Sequence, residues 1–205
     1  AVVGGRKISV LPTLLVSQIG IIPDVRQALS TDFKQAGDML FLLGATRNEL
    51  RGSAYDRRFG GGQHGPRVLP ESALIAYRAL HQAARLGCVS SCHDLADGGL
   101  AVALAECVIG GRLGAHVHLE RREAQMLVST IALLFGESPS RLLVSVPKRR
   151  VDQFRELING AEGARIGQVT DDGRLSVTRH HRAVLSTGID QLIAAWHTGP
   201  MGARK

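Results

Sequence analysis

Two short, nearly unbroken apolar runs place the strongest constraint on the fold of this chain. Met39–Leu43 reads Met-Leu-Phe-Leu-Leu, and Leu142–Val146 reads Leu-Leu-Val-Ser-Val. Runs of this length bounded by turn residues are typical of strands whose two faces are both buried. Helical patterns alternate with such runs, over residues 70–86, 99–111, 123–135, 148–158 and 188–196. We therefore predict a mixed β-sheet with flanking helices, of the α/β or α+β class.

The composition excludes several classes of protein. The chain has 205 residues, 44% hydrophobic and 21% charged, which is enough apolar material to fill a core. Its apolar runs fall far short of the roughly 20 residues that cross a membrane. The net charge of +7 comes from dispersed basic residues, and aromatic residues are only 4% of the chain. Because nucleic-acid binding favours clustered charge and stacking aromatics, we expect neither nucleic acid nor a membrane as a partner.

The cysteine content and the N-terminus indicate the setting of the protein. Cys88, Cys92 and Cys107 are an odd number of thiols, which is not a disulfide framework and indicates a reducing, cytoplasmic location. The sequence begins Ala-Val-Val-Gly-Gly, with no initiator methionine and no apolar signal segment. We expect the chain to be part of a longer protein.

A polar, glycine-containing turn is predicted between a strand at residues 89–92 and the helix at residues 99–111. Residues 93–99 read His-Asp-Leu-Ala-Asp-Gly-Gly. A strand-to-helix turn brings backbone N–H groups and the positive end of a helix to one place, which favours anions. A carboxylate there suits Mg²⁺ shared with phosphate oxygens, so Asp94 is a candidate metal ligand. The alternative is that Asp94 or Asp97 caps the helix.

Two other polar segments leave alternatives open. Residues 137–141 (Glu-Ser-Pro-Ser-Arg) form a tight turn that either holds a polar ligand or satisfies its own backbone. The glycine-dense residues 60–65 (Gly-Gly-Gly-Gln-His-Gly) either cradle a phosphate or form a mobile surface loop. The Lys-Ser/Thr ending of a nucleotide-binding loop is absent, which favours the mobile loop. No nucleophile signature is present in either segment, so we assign no catalytic residue.

These segments resemble motifs of the phosphoribosylformylglycinamidine synthase family. Residues 91–106 (SCHDLADGGLAVALAE) resemble its signature H-D-L-S-[DE]-G-G-L-x-V-x-L-A-E. Residues 134–141 (LFGESPSR) resemble its F-[SG]-E-S-x-S-R turn, and residues 52–55 (GSAY) its G-G-S-x-Y motif. Further stretches match the same family in the same order, at residues 12–17, 22–26, 31–34, 37–38 and 166–169.

The resemblance implies a domain organisation. Residues 31–200 would be the α/β domain of the family's second repeat, with the fold of the aminoimidazole ribonucleotide synthetase C-terminal domain. Residues 1–30 would be the β-rich tail of a truncated half-barrel domain with a linker, and residues 201–205 a short tail. Apolar, β-branched residues over 8–22 predict one or two strands in that first part. With the rest of the half-barrel absent, we expect residues 10–22 to expose apolar surface and promote self-association.

The resemblance also implies an activity for the whole enzyme. That activity is ATP-dependent C–N ligation, which converts formylglycinamide ribonucleotide to formylglycinamidine ribonucleotide in de novo purine biosynthesis. Ammonia would come from a glutaminase domain or subunit, and upstream synthetase domains would supply the catalytic residues. The chain alone would then be an inactive part of the ligase. The alternative is a stand-alone nucleotide-binding or assembly domain of the same superfamily.

Site residues follow from the resemblance one by one. Asp94 would bind Mg²⁺ at a second, non-catalytic nucleotide site. The residues implied to contact ATP or ADP there are His93, Gly98, Gly99, Glu137 and Ser138. Two departures from the family pattern lie close by: Ala96 replaces the usual Ser, and Arg51 replaces the first Gly of G-G-S-x-Y, where we expect the backbone to need freedom.

Overall fold

The computed structural model describes the backbone of residues 2–3, 6–7, 9, 14–119 and 128–199, and side chains at residues 9, 14–119 and 128–199. Parts of two predicted elements lie outside these residues: the strand over residues 8–22 at 8 and 10–13, and the helix over residues 123–135 at 123–127. The predicted tail at residues 201–205 lies outside them as well.

Within the described ranges the chain forms a large sheet, a small two-stranded pair and six α-helices. The strands are β1 (Val2–Val3), β2 (Arg6–Lys7), β3 (Met39–Leu43), β4 (Ser91–Asp94), β5 (Gly114–His118), β6 (Leu142–Val146), β7 (Gly163–Thr170), β8 (Arg174–Arg179) and β9 (Arg182–Gly188). The helices are α1 (Ala54–Phe59), α2 (Pro70–Arg85), α3 (Gly99–Gly111), α4 (Thr130–Phe135), α5 (Val151–Leu157) and α6 (Ile189–Thr198). None of the described helices is long and apolar enough to cross a membrane.

The large sheet has the spatial order β4-β6-β3-β7-β5-β8-β9. Every neighbouring pair is antiparallel except β5 with β8, which are parallel. The prediction of a mixed sheet with flanking helices is therefore confirmed.

The central strands bury side chains on both faces, as their unbroken apolar runs predict. In β3, Leu40 and Leu42 pack into the core on the side of α3 and α4. Met39, Phe41 and Leu43 pack into a second core on the opposite side, against α2 and α5. Alternate residues of a strand point to opposite faces. A strand covered on both faces is therefore apolar at every position and shows no alternation of apolar and polar residues.

Residues 171–173 read Asp-Asp-Gly, which is typical of a β-hairpin turn, but the strands on either side of them do not pair with each other. β5 lies between β7 and β8, so the turn crosses over the start of β5. Gly114 makes room for this crossing, because a Cβ there would lie 2.2 Å from Asp172 Oδ1 and 2.7 Å from the Arg174 carbonyl oxygen. The residues of a turn do not indicate whether a strand from elsewhere in the chain, here β5, inserts between the two strands that the turn connects.

Residues 14–22 do not form the predicted strand. Their backbone carries no helix or strand, and no described strand pairs with them. The apolar side chains of the segment are exposed, with Ile19 at 95% and Ile21 at 92%. A β-pattern produces a strand only where a neighbouring strand supplies hydrogen-bond partners.

Candidate functional site

The turn between β4 and α3 is shaped by two glycines. Gly98 and Gly99 both have positive φ, 83° and 63°, a region that favours glycine. A Cβ on Gly99 would lie 2.4 Å from the Gly136 carbonyl oxygen, so the start of α3 lies directly against the turn that precedes β6. The N–H groups of these glycines are already bonded, Gly98 to Glu137 Oε1 at 2.8 Å and Gly99 to the Ala96 carbonyl at 3.1 Å.

Glu137 joins the starts of two helices. Its Oε1 accepts hydrogen bonds from the backbone N–H of Gly98 and of Ala54, each at 2.8 Å. Ala54 is the first residue of α1, and Gly98 directly precedes α3. A carboxylate suits this position because helix N-termini carry unpaired N–H groups and partial positive charge. Glu137 therefore holds the strand-to-helix turn in place.

The rest of the 137–141 turn satisfies its own backbone, which is one of the two alternatives set out for it. The buried Arg141 donates to the Ser138 carbonyl at 3.2 Å, to Thr46 Oγ1 at 3.0 Å and to the Gly136 carbonyl. Burial lowers the pKa of Arg141 to about 10, which leaves it charged at neutral pH. Ser138 is fully buried, and its Oγ accepts from the Arg47 N–H at 3.1 Å.

His93 and Asp94 lie at the end of β4, and they differ in exposure. His93 Nε2 lies 2.7 Å from Glu106 Oε2 on α3, and its buried Nδ1 has no hydrogen-bond partner among the described residues. That Nδ1 is 3.5 Å from Asp94 Oδ1. The Asp94 side chain is 75% exposed, so its carboxylate is open to solvent beside the turn.

The capping alternative for the acidic residues is wrong. The N-cap of α3 is Gly98, and no side chain caps it. Asp97 is 84% exposed and lies 3.8 Å from the Arg57 guanidinium instead.

The donor set suits a hard cation better than zinc. The described residues contain no group of three or more His, Cys, Asp or Glu side chains that could hold a metal. Asp94 offers a single exposed carboxylate. Mg²⁺ commonly takes one or two carboxylates and completes its shell with phosphate oxygens and water, whereas a structural zinc site needs four protein ligands. A single exposed carboxylate does not make a structural zinc site, and it is compatible with Mg²⁺ only where a phosphate ligand and water complete the shell.

The glycine-dense loop at residues 60–65 is anchored by Asp56. The Asp56 carboxylate accepts from the N–H of Gly52 at 2.9 Å and of Gly62 at 2.7 Å, and these hydrogen bonds lower its pKa. The Arg51 N–H donates to the His64 carbonyl at 2.9 Å. The loop is therefore tied back to α1, which differs from the mobile loop that the glycines favour.

The backbone freedom that we expect at position 51 is needed instead at Gly52. Gly52 has a φ of 80°, whereas Arg51 is not among the residues with positive φ. Arg51 is therefore accommodated without backbone strain, and its side chain reaches a groove that the motifs alone did not indicate.

That groove, of about 490 Å³, lies between residues 47–51 and 63–67. Its charged lining is formed by Arg47, Glu49, Arg51 and Arg67, with His64 beside them. The one signal in the sequence was the departure at Arg51. The other side chains come together because the loop folds back, held by Asp56 and by the hydrogen bonds from the Arg51 N–H to the His64 carbonyl and from the Arg67 N–H to Glu49 Oε1.

Comparison with known proteins places this geometry in a family. Residues 35–180 match the family described as AIR synthase related protein, C-terminal domain. The phosphoribosylformylglycinamidine synthase subunit PurL of Cutibacterium acnes is 36% identical over 195 residues, which cover 92% of this chain and 24% of that protein. The chain thus spans about a quarter of the length of this relative.

Solved structures share the fold. Thermotoga maritima PurL complexed with FGAR superimposes with a TM-score of 0.70 and 22% identity, over 82% of this chain and 29% of that one. The same protein complexed with ATP gives a TM-score of 0.65 and 21% identity, over 82% of this chain and 27% of that one.

Proposed function

This chain belongs to the family of AIR synthase related proteins, whose C-terminal domain it contains, and on that premise we propose that it is part of a phosphoribosylformylglycinamidine synthase. One observation carries the proposal: the identity of 36% to the Cutibacterium acnes subunit extends over 92% of the chain. The activity is proposed for the whole enzyme, and this part of it is proposed to be inactive alone.

In the proposed enzyme, ATP phosphorylates the amide oxygen of formylglycinamide ribonucleotide. Ammonia from glutamine then displaces the phosphate and leaves the amidine. The Thermotoga maritima complexes with FGAR and with ATP support these substrates. Upstream synthetase domains and a glutaminase domain or subunit are the proposed partners. The three free thiols support a cytoplasmic location.

The chain itself is proposed to supply a nucleotide and Mg²⁺ half-site, with Asp94 as the metal ligand. The support is its exposed carboxylate at the end of β4, where the chain enters the turn that leads to α3. Mg²⁺ bound there would offset the charge of ATP or ADP phosphate oxygens. His93 is proposed to lie beside Asp94 in this half-site, and the N–H groups of Gly98 and Gly99 would have to exchange their present partners to contact the nucleotide. Glu137 would position the turn, and contact with Ser138 would require the 137–141 turn to open.

Thermal unfolding of the chain with ADP and Mg²⁺ tests the half-site. We expect the melting temperature to rise with ligand concentration, as for any ligand that binds only the folded state; at a hundredfold excess over Kd the gain is about 2.7 kcal/mol. Asp94→Asn should remove the Mg²⁺-dependent part of the rise. Asp97→Asn, which changes a neighbouring exposed carboxylate, should keep it. Equal losses in both variants, or no rise in the unmodified chain, would overturn the assignment of Asp94.

A turnover assay tests the proposed dependence on the rest of the enzyme. The chain alone should not hydrolyse ATP in the presence of formylglycinamide ribonucleotide. A chimera in which this chain replaces the matching segment of the Cutibacterium acnes subunit should form the amidine. Turnover by the chain alone, or a folded chimera without activity, would contradict the proposal.

A further inference from the structure

An apolar groove of about 510 Å³ lies between α3 and α6, with β8 and β9 as its floor. Ala105 and Ile109 of α3 form one wall, and Ala195 and Trp196 of α6 form the other. Trp196 is 60% exposed, although its indole is the largest apolar side chain of the groove. Concave apolar surface that is open to water is typical of a site that another molecule covers.

The groove offers no free charge to an occupant. Among the described residues that line it, Glu106 is the only charged one. Its Oε2 lies 2.7 Å from His93 Nε2, so this carboxylate already has a hydrogen-bond partner. A charged group that entered the groove would lose water without gaining a counter-charge, which costs free energy. The groove therefore favours an uncharged, apolar occupant.

Residues 14–22, which we call the N-terminal segment, have these properties. The segment reads Leu-Leu-Val-Ser-Gln-Ile-Gly-Ile-Ile and has no charged residue, in a chain of which 21% is charged. Ile19 and Ile21 are almost fully exposed. In an extended chain, residues two apart place their side chains on one side, about 7 Å from each other. The face of α3 from Ala101 to Ile109 is about 12 Å long, so both isoleucines fit along the groove.

The N-terminal segment and the groove of one copy lie on opposite faces of the large sheet. Ile21 and Ile22 line a cavity together with His81 of α2. α2 packs on the core that contains Phe41, whereas α3 and α6 pack on the core that contains Leu40. Since the sheet separates Ile21 from the groove of its own copy, the groove that it can enter is that of a second copy.

We propose that the N-terminal segment of one copy binds in the apolar groove of a second copy. Ile19 and Ile21 pack between the walls of the groove, and Trp196 forms the large apolar contact that commonly anchors an interface. The segment and the groove are different surfaces, so the contact is heterologous and extends beyond a dimer unless the copies close into a ring. The proposal is independent of the proposed enzyme function.

Sedimentation velocity with complementary variants of the full chain tests the proposal. Ala195→Asp places a charge in the groove and should weaken self-association at least about tenfold. Ala194→Asp, at an exposed position of α6 outside the groove, should change it less than about twofold. An equimolar mixture of Ala195→Asp with the paired variant Ile19→Asp and Ile21→Asp contains one intact segment and one intact groove. That mixture should form a one-to-one complex and no larger species.

A different mode of association gives different results. If two N-terminal segments pair with each other, Ala195→Asp associates as the unmodified chain does and the mixture forms no complex. Either of these results would overturn the proposal, as would an unmodified chain that does not associate.

The fluorescence of Trp196 tests the same contact without a substitution. Trp196 is the only tryptophan of the chain, so its emission reports on the groove. Emission of the unmodified chain should move to shorter wavelength as rising concentration drives association, because binding of the segment removes water from the indole. If Ala195→Asp does not fold, this measurement still decides the point: unchanged emission during association would place the contact outside the groove.

Discussion

Asp38 and Arg141 show how differently one fold treats two buried charges. Arg141, at 1% exposure, places its donors on two carbonyl oxygens and the Thr46 hydroxyl. Asp38, at 3% exposure, leaves Oδ2 without a hydrogen-bond partner among the described residues. A hydrogen bond from Ser90 and the charge of Arg149 offset only part of the effect of burial, which raises the pKa of Asp38 above its ordinary 3.8. Arg141 therefore stabilises its turn, whereas the ionised carboxylate of Asp38 lowers the free energy of unfolding.

Asp38→Asn should therefore stabilise the protein at neutral pH. Because the folded-state pKa is raised, the carboxyl contributes stability below pH 3.8 and loses it as pH rises through the folded-state pKa. We expect the variant to raise the free energy of unfolding at neutral pH and to change it little near pH 3.8. Urea unfolding across this range measures it. Asp171→Asn, at an exposed position, should show no such dependence; a destabilised Asp38→Asn at neutral pH would contradict the expectation.

At the scale of elements, α1 and the loop that follows it behave as one unit. Ser53 caps α1 by accepting from the Asp56 N–H at 3.1 Å, and Asp56 in turn holds Gly52 and Gly62. A six-residue helix is too short to be stable alone, so these local hydrogen bonds define it. The same bonds form one wall of the arginine-lined groove.

Asp56→Ala should release this unit without unfolding the sheet. We expect faster amide hydrogen exchange at Gly52 and Gly62 and faster proteolysis within residues 60–65. Asp152→Ala, which removes a carboxylate 96% exposed on α5, is the matched control. Since hydrogen bonding lowers the pKa of Asp56, the unmodified chain should show the same release only as pH falls below 3.8. Unchanged exchange at Gly62 in the variant would contradict the anchoring role.

The elements that could be predicted are those whose apolar pattern and end residues both lie within the element itself. β3, β6, α2 and α3 have apolar patterns and end signals within their own residues. β9 follows a turn of two residues with positive φ, His180 and His181, which carries no glycine to mark it.

The candidate site also has one part that local sequence could indicate and one part that it could not. The exposed position of Asp94 follows from the local turn between a strand and a helix. The arginine-lined groove depends on two segments held together by Asp56, by Glu49 and by a backbone hydrogen bond between residues 51 and 64, so no local pattern could indicate it.

At the scale of the whole molecule, the N-terminal segment leaves apolar surface in contact with water. Leu14, Leu15, Val16, Ile19 and Ile21 are each between 75% and 95% exposed. Burying five such side chains gains about 7–15 kcal/mol, against an association cost of about 4–15 kcal/mol. The balance favours weak, reversible association between copies of the chain. In a longer protein, a preceding domain packed on this segment would remove the driving force.

Sedimentation velocity over a range of concentrations should therefore show the chain moving from monomer to dimer or larger species. The paired substitution Ile19→Asp and Ile21→Asp should keep it monomeric, because a charge on each side chain makes its burial unfavourable. Val68→Asp, at another apolar position that is 61% exposed, should leave the association unchanged and so tests whether the effect belongs to residues 14–22. A chain that stays monomeric at the highest concentration reached would show that the exposed segment is solvated without self-pairing. Equal loss of association in the Val68 variant would place the contact elsewhere on the molecule.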